Sequence, residues 1–513
     1  MHHPGLASTV GQLLHVGALR HPSKTALVFE GQRWTYGSLE DAVLNVAGHL
    51  QSLGLGAGDT ISLIGPNTPE WVIAYHAVLR IGAVVNPLNL MLTPPEAAYA
   101  IADCGATAVI GADDRLAPLT DALDGTSVRL RLAFGGQPPP HTNDFHRLLQ
   151  DGAALFKPVE ISPDQVCTVG YTSGTTGHPK GATLTHRAIT LNTAMTATMH
   201  VRTPADTVVS ALPCSHVYGN VVMNAALACG MTLVLHRSFD VERVLASIET
   251  ERATLFEGVP TMYHYILNHP QRHRYDLSSL TRCTVGGQTM PVAKMREVEA
   301  VFGCPLIELW GMTELGGLGT THSLYGPRRL GSIGVPLPHL EARVVATDGS
   351  RRVLPPGDVG ELQIRGPVTM KGYLGQPAAT ADTLEPDGWL RTGDLVRQDK
   401  DGYLFVVDRL KDLIITGGFN IYPAELERAI AEHPDVAMVA VGSVPDDHKG
   451  ELAKAYVVPR PGARLDIDAL DRHCRQRLAA YKVPRLYQVV EDLPKTSTGK
   501  VLRRRLRELD PVS

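Results

Sequence analysis

A chain of 513 residues, 44% hydrophobic and 19% charged, is long enough for two or more domains with a large core, and this balance excludes a disordered or fibrous protein. A formal net charge of -4 supplies no electrostatic ground for binding nucleic acid or an anionic membrane. The 7 cysteines, at positions 104, 167, 214, 229, 283, 304 and 474, are scattered, odd in number and free of C-x-x-C pairs, which argues against a disulfide framework or a zinc site and fits a reducing cytoplasm.

The N-terminus lacks the basic, apolar and small-residue order of a secretory signal. The longest apolar stretch, 221–235, is interrupted by Asn224 and Gly230 and is too short to span a bilayer. The terminal Pro-Val-Ser carries no peroxisomal address. The expectation is a soluble, cytoplasmic protein.

From about residue 58, short β-branched runs alternate with longer helix-like segments. The strand-like runs are 207–212, 232–235, 253–256, 282–285 and 306–309, and 241–251 and 292–302 read as helices between them. Alternation of this kind predicts an α/β fold with largely parallel sheets. From about Glu341 the texture becomes more antiparallel, with strands at 341–346, 360–364 and 403–407. A third texture starts near Lys411: strands 412–415, 436–441 and 453–458 with helices 423–432 and 467–480, a small α+β unit of viable domain size. The charged junction Asp408-Arg-Leu-Lys-Asp412 leaves little room for a linker, and reads either as a hinge or as a solvated turn.

The run Tyr171-Thr-Ser-Gly-Thr-Thr-Gly-His-Pro-Lys180-Gly-Ala182 follows a strand-like stretch at 166–169 and precedes a helical pattern from about Thr185. Glycines that permit tight turns, four hydroxyls and a lysine in one loop suit the phosphates of a nucleotide. The loop is not a Walker A motif, because Pro179 stands where that motif requires its second glycine. Taken alone, such a run is as well explained as an ordinary loop.

Further motifs follow in order: Leu212-Pro-Cys-Ser-His216-Val-Tyr-Gly219, Val285-Gly-Gly-Gln-Thr-Met-Pro291, Leu309-Trp-Gly-Met-Thr313-Glu314 and Gly388-Trp-Leu-Arg-Thr-Gly-Asp394. Asp408-Arg409-Leu-Lys411-Asp412, Gly417-Gly-Phe-Asn420-Ile-Tyr-Pro-Ala-Glu425 and Pro494-Lys-Thr-Ser-Thr-Gly-Lys500 complete the series. In this order, from about Leu13 to Arg507, the chain resembles the adenylate-forming (AMP-binding) superfamily of acyl-CoA synthetases, peptide-synthetase adenylation domains and beetle luciferases.

The resemblance implies a large N-terminal domain of two α/β subdomains plus a β-barrel-like part, here 1–408, and a small mobile α+β C-terminal domain, here 409–513, with the hinge near Lys411. It implies a two-step reaction with ATP, Mg²⁺ and coenzyme A. A carboxylate attacks the α-phosphate to give acyl-adenylate and pyrophosphate, and a thiol then displaces AMP.

Roles follow by motif. Thr172, Ser173, Gly174, Thr175, Thr176, Gly177 and Lys180 would cradle the β- and γ-phosphates. Thr313 would touch the α-phosphate and Glu314 would hold Mg²⁺. Gly287, Gln288 and Thr289 would border the adenine on one side, with Glu308, Leu309 and Trp310 on the other. Trp310 stands where a tyrosine is common, and either ring can stack. Asp394 would accept from the ribose hydroxyls, and Arg409 would donate to ribose or phosphate. Lys500 would bridge carboxylate and α-phosphate, whereas Arg503 to Arg505 read as solvated charges. Gly417 and Gly418 would line the pantetheine tunnel after the small domain has rotated.

The acyl pocket is expected between 216–221, 286–288 and 311–317, with Tyr218, Gly286 and Gly311 on its walls. His216 would gate it, unless it is simply a buried histidine bonded to backbone. No acidic residue lies in 213–222, where amino-acid-activating relatives hold the substrate amine. The mainly apolar walls suggest a medium- or long-chain fatty acid, with an aryl acid as the alternative. Coenzyme A is the expected acceptor, and a separate carrier protein is the alternative. A luciferase-like oxygenase and a non-catalytic nucleotide binder are the competing classes. The joint presence of Lys180, Glu314, Asp394, Arg409 and Lys500 speaks against the non-catalytic one. No residue pattern sets the oligomeric state.

Overall fold

The structure is a computed structural model that describes residues 7–150, 155–172, 179–416, 419–446, 448–495 and 501–510, with the backbone alone for Gln150, Asn420 and Arg504. The described strands form four sheets. A nine-stranded sheet has a parallel centre, in which Leu306–Met312, Arg282–Val285, Leu255–Gly258, Thr207–Ser210, Thr232–Leu235 and Thr25–Phe29 follow one another. An eight-stranded sheet carries Val84–Leu88, Thr60–Ile64, Ala108–Ala112 and Leu130–Phe134 in parallel, flanked by the antiparallel pair Val166–Thr172 and Lys180–Thr185. Helices cover both, because strands buried on two faces need an apolar layer on each side.

The apolar seam between these layers is filled by large side chains such as Trp71, Tyr36 and Tyr75, each at most 1% exposed. Tyr36 keeps its hydroxyl satisfied on the carbonyls of Ala226 and Met231. The helix Pro69–Arg80 starts at an N-cap, Thr68, whose side chain accepts from Trp71 N–H, and it has proline in its first turn, where a missing N–H does no harm.

Glu341–Val345, Val359–Arg365, Leu390–Gln398 and Leu404–Arg409 make an antiparallel four-stranded sheet. A short 3₁₀ turn, Leu410–Asp412, then leads into Ile414–Thr416, which belongs to a separate five-stranded sheet with its own apolar cluster around Leu426, Val457 and Leu470. The α/β class with a smaller C-terminal α+β part is thus the observed architecture.

Two expectations are corrected. The glycine-rich run does not pass directly from strand to helix. Lys180–Thr185 is a strand paired antiparallel to Val166–Thr172 as a hairpin, so a second strand precedes the helix. The helix itself begins at His186, in line with the expected start near Thr185, whose side chain accepts from Ala188 N–H. Layering also begins before residue 58: Thr25–Phe29 pairs in parallel with Thr232–Leu235 and carries the hairpin strand Gln32–Thr35. That partner lies some 200 residues away in sequence, and the association is set by tertiary packing rather than by a local pattern.

Candidate active site

A cleft of about 2280 Å³ opens where the larger sheets, the four-stranded sheet and the C-terminal part meet. The hairpin strands Val166–Thr172 and Lys180–Thr185 reach it at Thr172 and Lys180. Thr172 and Lys180 are the pair that closes the described part of that hairpin, and both line the cleft. Ser173, Gly174, Thr175, Thr176 and Gly177 lie outside the described residues, as do Gly417, Gly418 and Lys500.

Lys180 points its ammonium over the Tyr373 ring, 5.3 Å from the centroid. The Tyr373 hydroxyl in turn donates to Glu314 Oε1 at 2.7 Å. Glu314 sits in the 3₁₀ turn Thr313–Leu315 that ends the strand Leu306–Met312. Gly316 follows at φ 63, a left-handed turn that glycine adopts without strain. Burial raises the Glu314 carboxyl above its ordinary range, and the Tyr373 hydrogen bond opposes that shift. Thr313 packs its methyl on the backbone of Gly170, which lies in the strand that leads into the glycine-rich run. Thr313, Glu314 and Lys180 therefore converge on one end of the cleft.

Asp394 marks a second group. Arg409 Nε lies 3.0 Å from its Oδ1, and Trp310 Nε1 donates to its Oδ2 at 2.7 Å. Asp394 and Arg409 face each other across paired strands. Glu361 accepts from Gly393 N–H at 3.1 Å, which fixes the backbone just before Asp394. Trp310 is therefore tied edge-on to Asp394 while lining the cleft.

Gly287, Gln288, Thr289 and Leu309 form the adjoining wall, and Gly287 has φ 89. Glu308 is placed behind that wall, 2% exposed, its carboxyl bonded to Met290 N–H. Burial pushes it up to about 8. Gly286 is also behind the wall. Its Cα packs on Leu309 so closely that any Cβ there would collide with that side chain.

His216 lines the cleft as the N-cap of the helix Val217–Ala228, with Nδ1 accepting from Tyr218 N–H at 3.3 Å. The neutral ring therefore carries its proton on Nε2. Tyr218 is 6% exposed and turns away from the cleft, its hydroxyl 2.6 Å from Thr284 Oγ1. Gly311 lines the cleft and packs on the carbonyl of Gly317 with no room for a side chain.

Arg409, Lys411 and Asp412 line the cleft at the junction. Arg503 is not the solvated charge expected from its basic run. It bonds Glu427 Oε2 at 2.6 Å and Asp412 Oδ2 at 3.2 Å and lies 4.0 Å from Asp408 Oδ1. Arg505 does fit the surface expectation, paired with Glu508 at 2.7 Å. Burial pushes Asp408 up to about 6, although it accepts from Ala424 N–H at 2.8 Å. Tyr373, Glu361 and Arg503 are the participants that sequence reasoning missed, since each acts through a residue far away in the chain.

Among the described residues no helix is long and apolar enough to cross a membrane, and the seven cysteines are free thiols. Residues 14–374 match the profile of the AMP-binding enzyme family, and residues 425–500 match that of the AMP-binding enzyme C-terminal domain. A long-chain-fatty-acid–CoA ligase of Bacillus subtilis (strain 168) is 36% identical over 529 residues, covering 98% of this chain and 94% of the relative. A feruloyl-CoA synthase of an Amycolatopsis species is 37% identical, covering 95% of this chain and 96% of the relative. Among solved structures, an anthranilate CoA ligase in complex with anthranoyl-AMP superimposes with a TM-score of 0.92 at 26% identity, covering 99% of this chain and 98% of the other. Profile, relatives and superposition agree over nearly the whole length: the chain belongs to the AMP-binding enzyme family, whose adenylate-forming members include the acyl-CoA synthetases.

Proposed function

We propose that this protein is an ATP-dependent acid–CoA ligase that joins a carboxylic acid to coenzyme A by way of an acyl-adenylate. The observation that carries the reading is the pair of neighbouring clusters on one cleft, Lys180–Tyr373–Glu314 and Trp310–Asp394–Arg409. The first presents a cation and a buried carboxylate to phosphates. The other presents an aspartate to a sugar diol, with Trp310 and the Gly287–Thr289 backbone beside it. The names of the three relatives reported above, each an acid–CoA ligase or synthase, support the same chemistry.

Glu314 fits a Mg²⁺ role. It is a buried carboxylate that accepts from a neutral phenol and from its own backbone N–H, and Mg²⁺ typically takes one or two carboxylates together with phosphate oxygens and water. When bound, the ion would neutralise charge on the phosphates. Lys180 and the hydroxyls of the glycine-rich run would hold the β- and γ-phosphates as pyrophosphate leaves, and Thr313 would position the α-phosphate. Lys500 would bridge the acid's carboxylate and the α-phosphate, supplying positive charge where the new bond forms. Asp394 would orient the ribose, and Arg409 would hold Asp394 and reach the phosphate. His216 would stand beside the carboxylate.

The second step needs Lys500 out of the way and a path for a thiol. The division into 1–408 and 409–513, with rotation about Lys411, would supply both, bringing Gly417 and Gly418 to the pantetheine arm. Free thiols throughout are consistent with a cytoplasmic location.

The test is acid-dependent exchange of labelled pyrophosphate into ATP, without coenzyme A. Exchange that requires both an acid and Mg²⁺ supports adenylate formation. Absence of exchange across fatty, aryl and dicarboxylic acids would refute it.

A further inference from the structure

An asparagine inside the helix His186–Met199 calls for a reason, because its side chain competes with the backbone for hydrogen bonds and weakens a helix. Asn192 is 0% exposed, and its amide is fully used. Nδ2 donates to the carbonyls of Leu315 at 3.1 Å and Leu318 at 2.7 Å. Oδ1 accepts from Leu318 N–H at 3.1 Å and from Thr196 Oγ1 at 3.3 Å. The side chain thus pairs with both backbone groups of Leu318, as a residue of a neighbouring antiparallel strand would.

Its partners lie at the tip of a hairpin. The strands Leu306–Met312 and Gly317–Thr321 are antiparallel, and the turn between them brings Thr313, Glu314 and Gly316 onto the cleft. Gly316 and Gly317 follow at φ 63 and 156, so the stretch after Glu314 has little conformational preference of its own. The helix packs closely on it. A Cβ at Gly317 would stand 2.6 Å from Asn192 Oδ1, and one at Gly316 would stand 3.5 Å from Ile189, one turn earlier. Glu314 has two further anchors, its carbonyl accepting from Met370 N–H at 2.8 Å and its carboxyl from Tyr373.

We propose that Asn192 is a positioning residue, which acts through the backbone of Leu315 and Leu318 to hold Glu314 where Mg²⁺ and the phosphates need it. This rests on the reading of the cleft as an ATP site in which Glu314 takes the metal. Without the amide, the Leu315 carbonyl and both backbone groups of Leu318 lose a buried partner. The two glycines let the turn relax to recover those bonds, and the Glu314 carboxyl moves with the turn. Lys180, Asp394 and Arg409 belong to other strands, so nucleotide contacts that do not pass through the metal persist. The signature is therefore loss of Mg²⁺ affinity with retention of ATP binding, which a mere loss of stability does not produce.

The experiment uses the intact protein as wild type, Asn192→Ala, Asn192→Asp and Thr185→Ala. Asn192→Asp is isosteric but lacks the two donors, and serves if Asn192→Ala does not fold. Thr185→Ala removes the N-cap of the same helix without touching the hairpin. Calorimetry gives the dissociation constant of ATP with Mg²⁺ and with EDTA, and acid-dependent pyrophosphate exchange gives the Mg²⁺ concentration for half-maximal rate. Both Asn192 variants should raise that concentration by about 10-fold or more, as losing a residue that orients a metal ligand does. Their ATP dissociation constants in EDTA should match the wild type, and Thr185→Ala should shift neither quantity. A soluble Asn192 variant with wild-type Mg²⁺ dependence would overturn the proposal, as would an equal shift in Thr185→Ala or equal weakening of ATP with and without Mg²⁺. Wild-type ATP binding indifferent to Mg²⁺ would overturn the metal role of Glu314 and the proposal with it. Absence of exchange with any acid would overturn the ligase reading alone, since calorimetry still reads the effect of Asn192.

Discussion

Tyr373 donates its hydroxyl to Glu314 Oε1 at 2.7 Å while its ring lies 5.3 Å from the Lys180 ammonium. One side chain therefore couples the Lys180 ammonium and the Glu314 carboxyl on the wall of the cleft. The bond stabilises the ionised form of Glu314 against the effect of burial. Tyr373→Phe removes it, so the Glu314 pKa rises further. The acid limb of the kcat/KM profile should then move to higher pH, and kcat at neutral pH should fall about 10-fold, as expected for a buried charged acceptor deprived of its donor. A profile that overlays the wild type would show that Tyr373 has no hold on Glu314.

Lys500→Ala should abolish adenylate formation, by about 10²-fold or more in kcat. Thioesterification of a supplied acyl-adenylate should remain largely intact. Single-turnover assays of the two half-reactions check this, and equal loss in both would refute the assigned division of labour.

Lys411→Pro should show the reverse. Proline fixes φ and would block rotation in the turn Leu410–Asp412. Adenylate formation should persist while acyl-CoA release falls, and wild-type turnover would place the hinge elsewhere.

Arg503→Met should destabilise the junction by about 2 kcal/mol, because Asp408, Asp412 and Glu427 lose their shared cation in a half-buried site. Arg503→Lys should recover only part of that, since an ammonium lacks the guanidinium fork. Denaturant midpoints of the three proteins provide the comparison.

Glu308 carries the clearest pH signature. Its pKa is raised by burial from 4.5 to about 8 in the folded protein, so between those values the folded state binds a proton that the unfolded state has released. Stability therefore falls as pH rises through that window, by at most ~1.4 kcal/mol per unit. Glu308→Gln should flatten this dependence, as read from denaturation midpoints at pH 5 to 9. An unchanged slope would mean that Glu308 is ionised in the native state at neutral pH.

The motifs that place Lys180, Thr313, Glu314, Asp394 and Arg409 were legible because each sits in a short run of glycines, hydroxyls and charges next to a strand. The central strands were legible from their β-branched runs: 232–235 and 282–285 match the observed Thr232–Leu235 and Arg282–Val285. The strand Lys180–Thr185 was hidden because Gly181 and Ala182 are poor strand formers, and its pairing with Val166–Thr172 and Gly372–Tyr373 supplies what propensity does not. Tyr373 was hidden for a related reason, since its partner Glu314 lies 59 residues away. Arg503 looked solvated in its basic run, and only the fold brings Asp408, Asp412 and Glu427 around it.

The central claim, that an acid is passed through an adenylate to coenzyme A, is tested most directly by mass spectrometry of one reaction containing the protein, MgATP, coenzyme A and pooled fatty, aryl and dicarboxylic acids, beside a tube without coenzyme A. The account predicts new acyl-CoA with an equal amount of AMP in the first tube and acyl-AMP alone in the second. Acyl-AMP in both tubes with no thioester in either would contradict it, and would point to a carrier protein or another acceptor.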